Sequence, residues 1–240
     1  MKLNHSYILP LIIAVISFSL TGCFKDRIEG NGNVITEDRT STDFSRVISR
    51  GDFIVTVVPD SVAGIRIEAE SNIIPYIRTS VSGNTIIIDV ENGINIREHS
   101  AIKVTLHTLH AEYLELQGSG SISAGHFSED DVQIYLSGSG NIGSSFTANK
   151  ISANISGSGS IALDGTAQQT TMHISGSGSI NSLNLIQHTC NVSISGSGNV
   201  YVNVLQDLSA TISGSGSVYY MGNPVVESHI SGSGKVVKYK

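Results

Sequence analysis

Between Gln117 and Lys240 apolar and polar residues alternate through stretches that are broken at regular intervals by Gly-Ser-Gly. The first glycine of each break is Gly118, Gly138, Gly157, Gly176, Gly196, Gly214 and Gly232, giving intervals of 20, 19, 19, 20, 18 and 18 residues. Gly-Ser usually makes a flexible linker, yet here it recurs at a nearly fixed period, flanked by Ile, Leu or Val. A period near twenty marks a repeat architecture in which each unit buries its apolar face against its neighbours. In an extended chain alternate side chains share a face. Ile155, Gly157, Gly159 and Ile161 then lie on one face, Ser156, Ser158 and Ser160 on the other, and the other copies keep this phase. Two glycines occupy core positions, which implies a sharp bend with no room for a Cβ inside it and backbone angles closed to other residues. The pattern predicts an all-β solenoid with coils of about 19 residues. The corner serines point to solvent, where they can bond to the coils above and below. An antiparallel sandwich is the weaker reading, because successive hairpins would alternate two kinds of turn.

Upstream, Ile65 to Glu70 and Ile102 to His107 alternate like half-buried strands. Phe53 to Val58 and Thr85 to Val90 are more continuously apolar and read as buried on both sides. Asn72 to Ile77 contains Pro75 and reads as a loop or a single helical turn. Gly30-Asn31-Gly32-Asn33-Val34 is a candidate degenerate copy of the repeat, and no stretch has the pattern of a long amphipathic helix. The start of the chain is different. Lys2 precedes an apolar run from Ile8 to Leu20, short for a membrane span and right for a signal-peptide core. It ends in Leu20-Thr21-Gly22-Cys23, a bacterial lipobox in which Cys23 becomes the acylated first residue. Several acyl chains on one residue hold a protein on a membrane stably. The expected organisation is a lipoprotein signal peptide at 1–22, a tether at 23–43 and one β-helical domain at 44–240. Within that domain, charged strands at 44–116 cap one end of the coils at 117–236, and the lysines at 235, 238 and 240 discourage strand pairing at the other. With Cys23 lipidated, Cys190 has no partner and reads as a small buried hydrophobe.

A net charge of −6 excludes the basic patch of a nucleic-acid binder, and 40% apolar content excludes a disordered chain. β-Helical lyases and hydrolases gather acids, or acids with basic residues, within one or two coils. After Gln117 the acids are only Glu129, Asp130, Asp131, Asp164, Asp207 and Glu227, and there is no arginine. Counted from the glycine opening each unit, Glu129 matches Asp207 and Asp131 matches Glu227, four and five coils apart. Glu129-Asp130-Asp131 reads as a solvated acidic bulge. Calcium β-rolls need an Asp in each glycine turn, where this chain has Ser, Asn or Lys. His107 and His110 point to opposite faces of a strand end, and His173 and His229 share a place three coils apart, so no metal site is assigned. Arg50-Gly51-Asp52 spells an integrin-recognition tripeptide, but Gly51 sits where a strand begins, and a structural role is the better reading.

Phe44-Ser45-Arg46-Val47, the run Arg50 to Val57 (RGDFIVTV), Glu68 to Val90 (EAESNIIPYIRTSVSGNTIIIDV) and the repeats beyond resemble a bacterial family called putative auto-transporter adhesin, head GIN domain, over roughly residues 44 to 220. The resemblance implies a right-handed parallel β-helix, common in Bacteroidetes-type bacteria and often lipid-anchored, and it brings no catalytic residues. The expected function is a lipid-anchored envelope protein, an adhesin or binding scaffold without catalytic activity, at the outer membrane or cell surface. It would need no cofactor and no metal. Its partners would be the membrane, through the lipid on Cys23, and a glycan or protein met by Ser and Asn ladders with outward Tyr135, Tyr201 and Tyr219. The alternatives are a carbohydrate-active enzyme on the same scaffold and a structural component of envelope assembly. An ice-binding array is more remote, since Ser lacks the methyl group of Thr.

Overall fold

The computed structural model describes residues 26–97 and 99–239, so the lipobox at Cys23 and the leader before it lie outside the described residues. Strands follow one another along the chain: β1 (Asp26–Glu29), β2 (Val34–Thr40), β3 (Arg46–Arg50), β4 (Ile54–Pro59), β5 (Gly64–Glu70), β6 (Ile77–Ser82), β7 (Thr85–Val90), β8 (Ile94–Arg97), β9 (Lys103–Thr108), β10 (Tyr113–Gly118), β11 (Ser121–Gly138), β12 (Asn141–Gly157), β13 (Ser160–Gly176), β14 (Ser179–Gly196), β15 (Asn199–Gly214), β16 (Ser217–Gly222), β17 (Val225–Gly232) and β18 (Lys235–Lys238). The described residues contain no α-helix, only a 3-10 turn at Ile74–Tyr76 set by Pro75, as the loop or single-turn reading expects.

Each of β11 to β15 is most of one coil, and each pairs in parallel with the next. The inward phase of β11 shows how the coil turns. Ala124 is buried two residues after Ile122, but the next inward side chain is Phe127, and Val132, Ile134 and Leu136 resume the first phase. At each slip the strand bends, and between Ala124 and His126 the pairing with β12 shifts. The inward residues of all coils join one apolar cluster, from Phe44 and Phe53 to Ile212 and Val218. Two aromatic rings, Phe127 and Phe146, meet inside it at 6.4 Å.

The remaining bend is the Gly-Ser-Gly corner, and its two glycines are needed for different reasons. Gly157 has φ +129°, a region that side-chain-bearing residues rarely enter, and a Cβ there would come within 2.4 Å of the Gly138 carbonyl oxygen in the preceding coil. Gly159 is buried, and its Cβ would meet the Gly140 carbonyl at 2.4 Å and Leu136 Cδ2 at 2.6 Å. So the second glycine makes room for the aliphatic side chain of the coil before. Between them Ser158 is exposed. Its N–H donates to Gly138 O (2.9 Å), Gly159 N–H donates to the same oxygen (3.1 Å) and Ser160 N–H to Gly140 O (3.1 Å). Main chain, not serine hydroxyls, stitches corner to corner. A side-chain bond between neighbouring coils does form beside one corner, from Ser160 Oγ to Asn141 Oδ1 (2.6 Å).

The first rung of this stack is Gly51-Asp52-Phe53. Gly51 has φ +129° like the repeat glycines, its N–H donates to Gln117 O and its carbonyl accepts from Gly120 N–H. Asp52 holds the place of the exposed serine. Phe53, fully buried, holds that of the second glycine. The integrin-like tripeptide is thus part of a worn copy of the corner. Gly30 to Val34 is not a copy: Asn33 N–H donates to Asn31 Oδ1, and the segment turns into β2.

Before the first rung the sheet changes direction. β7 runs parallel to β3 and β9 parallel to β4, but β6 is antiparallel to β7, and β5 antiparallel to both β9 and β2. This closes the N-terminal end of the stack. Residues expected to form a tether enter it: β1 pairs with β8, and β2 lies along β5 with Arg66 bridging to Asp38 at 2.7 Å. β4 and β7 alternate rather than being buried on both sides; Ile54 is 42% exposed.

Two buried groups give checks on this packing. Glu70 is almost fully buried, with Ser100 N–H (2.9 Å) and Ser100 Oγ (2.8 Å) donating to Oε1. These donors, with smaller help from the Gly32 N–H and His99, hold its carboxyl below the usual 4.5 despite burial. A depressed carboxylate stabilises the fold above its unfolded pKa, and that contribution is lost as pH falls through the folded value. Glu70→Gln should therefore lower the melting temperature at pH 7, and the gap to the parent should close as pH drops below about 4.5; a gap that widens in acid would contradict this. Cys190 lies in the core, where burial pushes its thiol up to about 12 against a weaker pull from the Thr170 side chain. Maleimide at neutral pH should leave Cys190 unmodified until denaturant is added, as read by mass spectrometry of its peptide. Labelling of the folded chain at the rate of an exposed thiol would refute that.

Candidate binding surface

The strand segment leading into each corner is straight in every coil, so its outward side chains line up in columns across the stack. One column runs Tyr135, Asn154, His173, Ser193, Thr211 and His229. The column two residues earlier runs Gln133, Ser152, Thr171, Asn191, Ser209 and Glu227. Two residues later, Ser137, Ser156, Ser175, Ser195, Ser213 and Ser231 form an all-serine column beside the corner. These are hydroxyls, amides and imidazoles, with one carboxylate at the far end. A shallow groove of about 300 Å³ runs between the first two columns at Thr171, His173, Asn191, Ser193, Ser209 and Thr211. A smaller one of about 130 Å³ opens nearby at Asp131, Lys150, Ser152, Gln169 and Thr171.

Aromatic groups stand at the N-terminal end of this face. Tyr113 and Tyr135 approach at 5.4 Å, and the Arg46 guanidinium lies 3.9 Å from the Tyr113 ring centroid. The Tyr113 hydroxyl donates to Glu115 Oε2 (2.6 Å), and burial followed by that carboxylate raises its pKa. Tyr135 is 37% exposed. Tyr201 and Tyr219 belong elsewhere, on the strand segments that follow the corner. Their rings stack at 4.8 Å, and Tyr239 meets both edge-on. Stacked on one another, those two spend a ring face each on structure, so the expected Tyr set divides between two separate places on the solenoid.

The acids do not converge. The pairing puts Asp131 in a column with Lys150, Gln169, Thr189 and Asp207, and Glu129 next to Ala148 and Ala167. Counting from each glycine misassigned these partners because the bulges after Ala124 and Ser182 shift the register. Glu129 is not a solvated loop charge: its side chain is 6% exposed, accepts from Ala111 N–H (2.9 Å) and lies 3.2 Å from His110 Nδ1. His107 is held by Asp60 at 3.1 Å. His173 and His229 share a column three coils apart, as the spacing implies. Among the described residues no three His, Cys, Asp or Glu side chains form a group able to hold a metal ion.

The fold is shared with solved structures. A putative adhesin from Bacteroides fragilis superposes with a TM-score of 0.83 at 23% identity, covering 88% of this chain and 100% of its own. A putative lipid binding protein from Parabacteroides distasonis gives 0.75 at 23% identity, with 90% and 100% covered. A putative adhesin from Parabacteroides merdae gives 0.72 at 22%, again with 90% and 100% covered. No curated protein matches the chain. Residues 43–224 match the family described as putative auto-transporter adhesin, head GIN domain, and the chain belongs to that family.

Proposed function

We propose that this is a non-catalytic binding protein of the cell envelope, anchored by lipid on Cys23, that meets its ligand with the polar columns leading into the corners. The observation that carries this reading is the run of neutral hydrogen-bonding side chains, Asn154, His173, Ser193 and Thr211 beside Ser152, Thr171, Asn191 and Ser209, repeated coil by coil along a shallow groove. Repeated hydroxyl and amide donors suit a neutral, polyhydroxylated polymer, and a glycan is the ligand class they fit best. Family membership supports an adhesin-like role. The wide separation of the acids disfavours the carbohydrate-active enzyme.

Binding to a glycan array should therefore be measurable, and Asn154→Ala with His173→Ala should weaken it about tenfold or more, since each lost hydrogen bond removes roughly 0.5–1.5 kcal/mol. Undiminished binding by the double variant, or no binding to any glycan, would overturn this assignment of the face. The anchor is tested separately: Cys23→Ala should abolish incorporation of labelled palmitate and move the chain out of the membrane fraction, and a variant that stays labelled would refute it.

A further inference from the structure

The two ends of the stack are treated differently. The N-terminal end is closed by the antiparallel strands, but among the described residues the final rung, β17 and β18, pairs on one side only, with β15 and β16. This rung falls beyond the residues 43–224 that match the family. β18 carries Lys235 and Lys238, the charged guard expected for a free edge. β17, Val225-Val226-Glu227-Ser228-His229-Ile230-Ser231-Gly232, has no lysine, and all of it is exposed. Its inward phase, Val226, Ser228 and Ile230, continues the buried Leu208, Ala210 and Ile212 of β15, with Val226 37% and Ile230 43% exposed.

We propose that β17 pairs antiparallel with β17 of a second copy, about a two-fold axis at Ser228. In an antiparallel pair directly opposed residues point to the same side, and a slip of one residue would set inward against outward side chains. Three in-phase registers lie near the middle of the strand. Centring on Glu227 opposes two carboxylates, which is destabilising, and centring on His229 opposes two imidazoles. Centring on Ser228 puts Glu227, which lies 3.3 Å from His229 of its own strand, opposite His229 of the second copy and, inside, Val226 opposite Ile230. The sequence around Ser228 is thus self-complementary on both faces, as an isologous dimer requires. Pairing extends the core of one solenoid into the other. The polar columns of both copies would then form one longer surface.

The test is disulfide cross-linking in cells that express the full-length chain. Opposed residues in an antiparallel pair have Cα atoms roughly 4.5–5.5 Å apart, within the disulfide range of about 4.4–6.8 Å. Ser228→Cys should give, on mild oxidation, a reducible band of twice the chain mass that the parent, with only Cys23 and buried Cys190, does not give. Thr211→Cys, exposed one coil inward, should not give it. Adding Val226→Lys to Ser228→Cys places a charge in the apolar seam of the dimer, at a position already part-exposed in the single chain, and should abolish the band. No dimer from Ser228→Cys, as much from Thr211→Cys, or a band that survives Val226→Lys would each overturn the proposal.

Discussion

Gly157→Ala should unfold well below the parent although it adds a single methyl group. At φ +129° an L-alanine is strained, by about 1–3 kcal/mol for a residue held in such a region. The methyl would also sit 2.4 Å from the Gly138 carbonyl oxygen, a backbone atom that accepts from Ser158 and Gly159 N–H and cannot swing aside like a flexible side chain. The combined loss is about 3 kcal/mol or more, which for a chain of this size lowers the melting temperature by roughly 6–12 °C. The damage falls on the seam between two coils, and in a stack stability is a sum over such seams. The unfolding transition should broaden as the halves on either side lose their coupling. Ser158→Ala is the control: its hydroxyl is exposed and the corner uses its N–H, so it should melt within about 0.5 kcal/mol of the parent.

The second large effect is expected at Phe53. It takes the place of the inner glycine in the first rung and is fully buried in the cluster that joins the closing strands to the coils. Phe53→Ala removes a ring from a site that rigid strands surround, with an expected loss of about 3–5 kcal/mol. Phe53→Gly would restore both corner glycines, as Gly-Asp-Gly, and should be at least as damaging, because it removes the same buried ring and adds backbone freedom to the unfolded chain. Chemical denaturation monitored by circular dichroism measures both. If Phe53→Gly were as stable as the parent, the first rung would not be a plugged corner.

These two positions also show where the sequence is legible and where it is not. The period, the apolar phase and the two inward glycines follow from the spacing alone, because a repeat that buries itself against its own copies must keep register. The first rung is hidden, since Phe53 and Asp52 replace the signature residues that advertise a corner. The bend positions inside each coil are hidden as well. Bulges after Ala124 and Ser182 shift the register by amounts the glycine count does not reveal, so a count from the glycines puts the acids in columns they do not share. The strands β1 and β2 escape notice because their partners, β8 and β5, are distant in sequence and their own composition is polar. Of the candidate surface, the outward serines and Tyr135 are readable from alternation. The separation of Tyr135 from the Tyr201–Tyr219 stack requires knowing which side of the corner each strand segment lies on.

Native-state hydrogen exchange at the Gly-Ser-Gly amides tests the corner account most directly. The N–H groups of Ser158, Gly159 and Ser160 donate to carbonyls of the preceding coil at 2.9–3.1 Å and should exchange as slowly as the strand amides beside them, opening only with the stack. Exchange of those amides at the rate of an unstructured peptide, with the flanking strands still protected, would mean that the motif is a loose connection after all.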